Sequence, residues 1–343
     1  DMGVNIIKSI DPPLLVEATK RNDILFVKYL LKLPEIDINN EETLIFYQNP
    51  LLISCEKQFT EIFDILIENP KINVNVENNF GLTPLHMAVS NKDIHMTEKL
   101  LQNSKINVNK RTNANETPIY LACINGQYEI FHMLYKRKDI DISNPSSRNK
   151  QNIFLAACKG GSLKIVRELI DKYAINDSNS LTTEINEETN INENSNNNNS
   201  LNTKINENKN ENKINENKND ENSKNDSNSL NIKNNNEENN TSNDDICVVS
   251  SILSTSKDIS LLNMIKEVDN QGNNALHFAC RSGNTSLIKL LLSTNLFDVN
   301  ESNGLFFTPL RCVCISHNLS AFKLIVNTPG INLNSYSRYN QTP

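Results

Sequence analysis

Apolar residues recur along much of the chain in groups of four with one spacing. Phe26, Val27, Leu30 and Leu31 form one group, Ile62, Phe63, Leu66 and Ile67 a second, and Ile165, Val166, Leu169 and Ile170 a third. Positions i, i+1, i+4 and i+5 fall on one side of an α-helix, so each group predicts an amphipathic helix with one apolar stripe. Thr-Pro stands ahead of several groups, as Thr83-Pro84, Thr117-Pro118 and Thr308-Pro309. Thr caps free backbone N–H groups and Pro fits the first helical position, so a first helix starts there. It is short and ends near a glycine in several copies: Gly126, Gly161 and Gly283. Behind each stripe comes a small extended motif, such as Ile72-Asn73-Val74-Asn75, Ile106-Asn107-Val108-Asn109 or Phe297-Asp298-Val299-Asn300, and then a turn such as Asn79-Phe80-Gly81 or Asn270-Gln271-Gly272. One helix pair cannot bury its stripe alone. Stacked pairs bury the stripes against each other.

The units are periodic. Thr83-Pro84-Leu85-His86-Met87-Ala88 recurs 34 residues later as Thr117-Pro118-Ile119-Tyr120-Leu121-Ala122. One period earlier stands Asn49-Pro50-Leu51-Leu52-Ile53-Ser54. Asn274-Ala275-Leu276-His277-Phe278-Ala279 and Thr308-Pro309-Leu310-Arg311-Cys312-Val313 repeat the spacing. With Leu15–Ala18 and Phe154–Ala157 in the same register, seven units are predicted. The Thr-Pro-Leu-His-x-Ala segment, the glycine between helices, the paired Leu and the Asp-Val-Asn-like hairpin together resemble ankyrin repeats. The resemblance covers about residues 9–176 and 265–343, and implies an all-α solenoid of helix-turn-helix units with short β-hairpin tips. An array with an Asn-rich insert is similar to those seen in unicellular eukaryotes. Two departures concern the caps: the first and second units lack the Thr and His, and the fifth has Ile153 where Pro is expected.

Between Ala157 and Ala279 lie 88 residues more than one period. Register counting places the excess at the hairpin between the fifth and sixth units, where a tip facing solvent tolerates insertion. Closing a long loop costs little more than closing a short one, so the flanking units are expected to stack directly. The organisation read from the chain is residues 1–176 as units one to five, 177–245 as an Asn-rich insert, 246–264 as a degenerate helical segment, and 265–343 as units six and seven. Thr342-Pro343 would then open a further unit, cut off. Residues 177–245 hold too few apolar side chains to offset ordering entropy, and are expected to be disordered and of low complexity. Residues 246–264 are more apolar; a degenerate helix pair, a docked helix or a bound partner helix would fit.

Composition and chemistry change this picture only by exclusion. A formal net charge of -7 argues against nucleic acid as the main partner. No stretch is apolar enough for membrane insertion, and no secretory signal is visible. Seven cysteines without paired spacing suggest reduced thiols and a cytoplasmic location. Cys55, Cys123, Cys158, Cys280 and Cys314 share one register, which marks a core site for a small side chain. His86 and His277 share another; the ankyrin resemblance implies a bond within their own turn. No metal, nucleotide or hydrolase motif is present, so no cofactor, small-molecule substrate or catalysis is expected. What remains is surface.

The resemblance implies that a partner protein binds at the hairpin tips and on the concave face of the first helices. Carried over by register, the candidates are Asn79, Phe80, Leu82, Ser90 and Asn91 in the third unit. They are Asn113, Ala114, Glu116, Ile124 and Asn125 in the fourth, and Asn270, Gln271, Asn273, Arg281 and Ser282 in the sixth. Phe46, Phe80 and Phe307 are aromatic where a tip meets solvent, and such residues either anchor a partner or pack on the neighbouring tip. The function expected is that of a non-catalytic protein-binding scaffold. The alternative is a regulatory or targeting region of a larger enzyme or channel.

Overall fold

The computed structural model describes residues 13–39, 49–143, 150–171 and 259–334. All of these belong to one unit, residues 1–177 with 241–343; a second, 178–240, lies wholly outside them. The insert and Cys247 therefore lie outside the described residues, as do Phe46 and the segment 246–258.

Among the described residues, seven helix pairs follow one another. The first helices are Leu14–Lys20, Pro50–Lys57, Pro84–Ser90, Pro118–Ile124, Ile153–Gly160, Ala275–Ser282 and Pro309–Ile315. The second helices are Ile24–Leu30, Thr60–Ile67, Ile94–Gln102, Tyr128–Tyr135, 163–171, Thr285–Ser293 and Leu319–Val326. Capping sets where they begin. Thr83, Thr117 and Thr308 accept a hydrogen bond from the backbone N–H three residues on. Where Thr is missing, Asn does the work: Asn49 accepts from Leu51 N, Asn152 from Leu155 N and Asn274 from His277 N. The fifth unit therefore keeps a capped start although Ile153 replaces Pro. The first unit starts at Pro13 with no side-chain cap.

Each stripe is buried against its neighbours. Phe63, Phe131, Val166 and Ile288 share one register position and are fully buried. The core runs on across the insert. The first helix of the fifth repeat packs directly on that of the sixth, Asn284 Nδ2 donates to Gly161 O at 2.9 Å, and Gln151 Nε2 donates to Asp269. An additional helix, Ile259–Lys266, also lies against the fifth repeat. Its Leu261 and Ile265 are buried, and Asn152 Nδ2 donates to Met264 O at 2.7 Å. This helix runs across the boundary expected between 264 and 265.

The extended motif behind each second helix ties neighbours together through asparagine amides. Asn75 Nδ2 donates to Lys105 O, and Asn75 Oδ1 accepts from Asn107 N. Asn39, Asn109 and Asn300 bridge to the next repeat in the same way. The tips are tight turns, closed by Asn78 N on Leu82 O, Thr112 N on Glu116 O, Asp269 N on Asn273 O and Asn303 N on Phe307 O. No strand ladder forms among the described residues, so the solenoid there is all-α.

Candidate partner-binding surface

The tip of the third repeat and the first helices of the second and third enclose an open groove of about 500 Å³. Leu52, Ile53, Leu82 and Met87 supply its apolar lining, with Asn79, Ser90, Asn91 and Glu56 beside them. Phe80 stands at its edge, 63% exposed. Its backbone is held on both sides: Phe80 N donates to Asn78 Oδ1, and Phe80 O accepts from Asn113 N. The ring is thus presented from a fixed turn. Five residues picked out by register, Asn79, Phe80, Leu82, Ser90 and Asn91, meet in this groove.

Several of the polar candidates are engaged within the array. Asn91 Nδ2 donates to Cys55 O at 2.9 Å, and Asn113 Nδ2 donates to Asn79 O at 2.8 Å. Asn273 Nδ2 lies on the Asp269 carboxylate while its Oδ1 accepts from Asn303. Glu116 O receives a bond from the His86 ring. Asn125, Gln271 and Arg281 are exposed. Phe307 is half-buried, packs on the core and carries the Arg311 guanidinium over its ring at 4.5 Å. At the same tip the exposed apolar residues are Leu305 and Phe306.

Sequence reasoning had missed that pair, although the register held the signal. Counting back from the capping residue, Leu305 aligns with Phe80, and Phe306 with Gly81 and Gly272. Both glycines adopt positive φ, as does Asn115 of the fourth tip, and Phe306 follows at +60°. A bulky residue in left-handed backbone is a true outlier.

The side chains that might have carried chemistry serve the core and caps. Cys55, Cys123, Cys158 and Cys280 are buried, and burial drives each thiol above its ordinary pKa, away from the reactive thiolate. Cys314, in the same register, is half-buried. Cys312 is pushed up by burial to about 11, with Arg281 and Arg311 both pulling the other way. His86 accepts at Nδ1 from the Thr83 backbone and hydroxyl, so Nε2–H donates to Glu116 O of the next repeat at 3.1 Å. His277 likewise accepts at Nδ1 from the Asn274 backbone, with Nε2 3.0 Å from Phe307 O. These histidines thus reach beyond their own turn and staple successive repeats. His95 and His132 pair with Asp64 and Glu168 of adjacent repeats. Among the described residues, no three His, Cys, Asp or Glu side chains converge as a metal site, and no helix is long and apolar enough to cross a membrane.

The model of the family described as "Ankyrin repeats (3 copies)" matches residues 15–112, 70–146 and 241–337, more than half of the chain. The chain is an ankyrin-repeat protein. Ankyrin repeats as a class mediate protein–protein interaction and are typically non-catalytic. Individual relatives match over shorter stretches. Alpha-latrotoxin-Lh1a of Latrodectus hasselti is 42% identical over 50 residues, 15% of this chain and 4% of the toxin. Alpha-latrotoxin-Lt1a of Latrodectus tredecimguttatus is 40% identical over the same length and shares. The ankyrin repeat protein FPV031 of Fowlpox virus (strain NVSL) is 38% identical over 78 residues, 23% of each chain. This ankyrin array thus spans under a quarter of the length of the relatives it matches.

Proposed function

We propose that the array is a cytoplasmic scaffold that holds a partner protein by its tips and the exposed face of its first helices, without catalysis of its own. The observation that carries this reading is the groove of the third repeat, where Phe80 stands exposed on a turn fixed by its own backbone bonds. Ordering costs oppose binding, and an aromatic side chain held in place before contact costs less to immobilise. Aromatic anchors of this kind commonly dominate an interface. The test is quantitative capture on the immobilised full-length chain, comparing the native protein with Phe80→Ala and Phe46→Ala. A discrete captured protein should fall at least about tenfold with Phe80→Ala, the loss of roughly 1.4 kcal/mol or more. Unchanged capture by both variants would overturn the tip surface.

A second reading is supported by the lengths of the relatives, in which the matched segment is 4% or 23% of the whole. On that reading the array targets or regulates an enzyme or channel domain on the same polypeptide. Sequencing the complete transcript decides it: an open frame that adds only one closing repeat removes this reading.

A further inference from the structure

The fifth, sixth and seventh repeats present basic side chains from their first helices on neighbouring, directly packed elements. Lys159 lies in the last turn of Ile153–Gly160, and Arg281 holds the same register position in Ala275–Ser282. Those helices touch closely: a side chain at Gly161 would meet the Ser282 Cβ at 3.0 Å. Arg311, in the first turn of Pro309–Ile315, lies over the Phe307 ring, and Arg281 and Arg311 both act on the Cys312 thiol. Among the described residues no carboxylate lies within ion-pair distance of Lys159 or Arg281.

The carboxylates nearby are engaged elsewhere. Glu267 accepts from Asn152, Glu301 accepts from Asn274, and Asp269 is held within its own tip. The helix dipole favours a base in the last turn, and the first and second repeats carry one there too, but Lys57 pairs with Glu56 and Lys20 has a partner of its own. The charge of the whole chain also conceals this surface. Residues 177–245 hold 15 of the 41 acidic residues but 6 of the 34 basic ones, so the rest of the chain carries a formal +2. Exposed apolar side chains accompany the cations in the seventh repeat: Ile315 on the same first helix as Arg311, and Leu305 and Phe306 at the tip.

We infer that this face of repeats five to seven binds an extended acidic segment of a partner protein, whose carboxylates meet Lys159 and Arg281 and whose apolar residue meets Leu305, Phe306 and Ile315. The inference rests on the scaffold reading and names its partner class. Packed helices lie roughly 8–10 Å apart and an extended chain advances about 3.3 Å per residue, so the acidic residues fall about three apart. Strain at Phe306 agrees with a site rather than a packing residue, since unusual backbone conformations concentrate where ligands are clamped.

The probe is a fluorescein-labelled Glu-Ala-Ala-Glu-Ala-Ala-Leu-Leu peptide, titrated with the full-length chain at low salt and read by anisotropy. The native chain should bind it, and Arg281→Glu and Lys159→Glu should each weaken it at least about tenfold, with Arg281→Gln intermediate. Lys92→Glu, in the third repeat, should leave it unchanged, and added salt should weaken it. Equal affinity for the Gln-for-Glu peptide, or indifference to both charge reversals, overturns the inference. So does tighter binding of a single-stranded oligonucleotide that competes with the peptide. Circular dichroism of each variant reports folding, and the milder Arg281→Gln keeps the test decisive if a reversal unfolds. Failure of the peptide with capture still sensitive to Phe80→Ala removes the acidic segment alone. Peptide binding with capture indifferent to Phe80 and Phe46 removes the tip surface alone.

Discussion

His86 shows how one repeat residue connects sequence, packing and solution behaviour. Its ring is buried between Thr83 and the carbonyl of Glu116, and burial lowers its pKa from the ordinary 6.5 to about 4. The folded chain therefore binds this proton less readily than the unfolded chain. The stabilisation is fully present above about pH 6.5 and is lost as pH falls toward 4. Each pH unit of separation corresponds to about 1.4 kcal/mol, so His86 makes the array up to roughly 3 kcal/mol less stable across that window. Urea midpoints at pH 7 and pH 4.5 test this. His86→Gln should begin less stable but lose clearly less on acidification than the native chain. The register already marked His86 as a capping residue. Its bond to Glu116, 30 residues on, was not legible, because it depends on how far one repeat is rotated against the next.

At the scale of elements, local chemistry explains most helix boundaries and exposes the imperfect ones. Asp93, Asn284 and Asn318 cap the second helices of their repeats, and the two asparagines also donate to the preceding repeat. In the fourth repeat that position holds Gln127, buried, with neither side-chain polar atom partnered and no capping bond. Gln127→Asn should shorten the side chain into capping reach and raise stability by about 1 kcal/mol, read as a higher thermal midpoint. The loop between the helices has a second weakness. Its left-handed slot is glycine at 126, 161 and 283, but Asn at 22, Gln at 58, Lys at 92 and His at 317. A non-glycine residue there is strained by roughly 1–2 kcal/mol, offset in part by the extra freedom glycine loses on folding. Lys92→Gly should thus stabilise by about 0.5–1 kcal/mol in denaturant titration.

Across the whole molecule, stability depends on the seams between repeats, as expected for a quasi-one-dimensional array. Gly160 marks a tight seam: a Cβ there would lie 2.2 Å from Cys123 O, a backbone atom that cannot simply swing away. Gly160→Ala should destabilise the chain by about 2 kcal/mol or more, visible as a lower denaturant midpoint. Asn75 bridges the second and third repeats by two hydrogen bonds. Asn75→Ala should cost roughly 1–3 kcal/mol and speed hydrogen exchange in residues 13–75 before it does so in 259–334. Equal acceleration in both halves would show that the repeats unfold as one block.

The helix pairs, most of their caps and the burial of four of the five cysteines in one register were determined by sequence alone, because each follows from contacts within a turn or from a stripe that needs a dry neighbour. The candidate surface was legible only in part. Phe80 and its groove neighbours could be named by register, whereas Phe306 was overlooked because a phenylalanine in a glycine slot breaks the pattern. Asn91 and Asn113 looked equally free in the sequence, yet their amides bond to carbonyls 36 and 34 residues earlier. Arg281, 31 residues earlier, acts on the Cys312 thiol only once the sixth and seventh repeats are packed together. The tertiary structure alone decided these matters, since whether a polar side chain faces solvent or a neighbour is set by the stacking geometry of whole repeats, which no local spacing encodes.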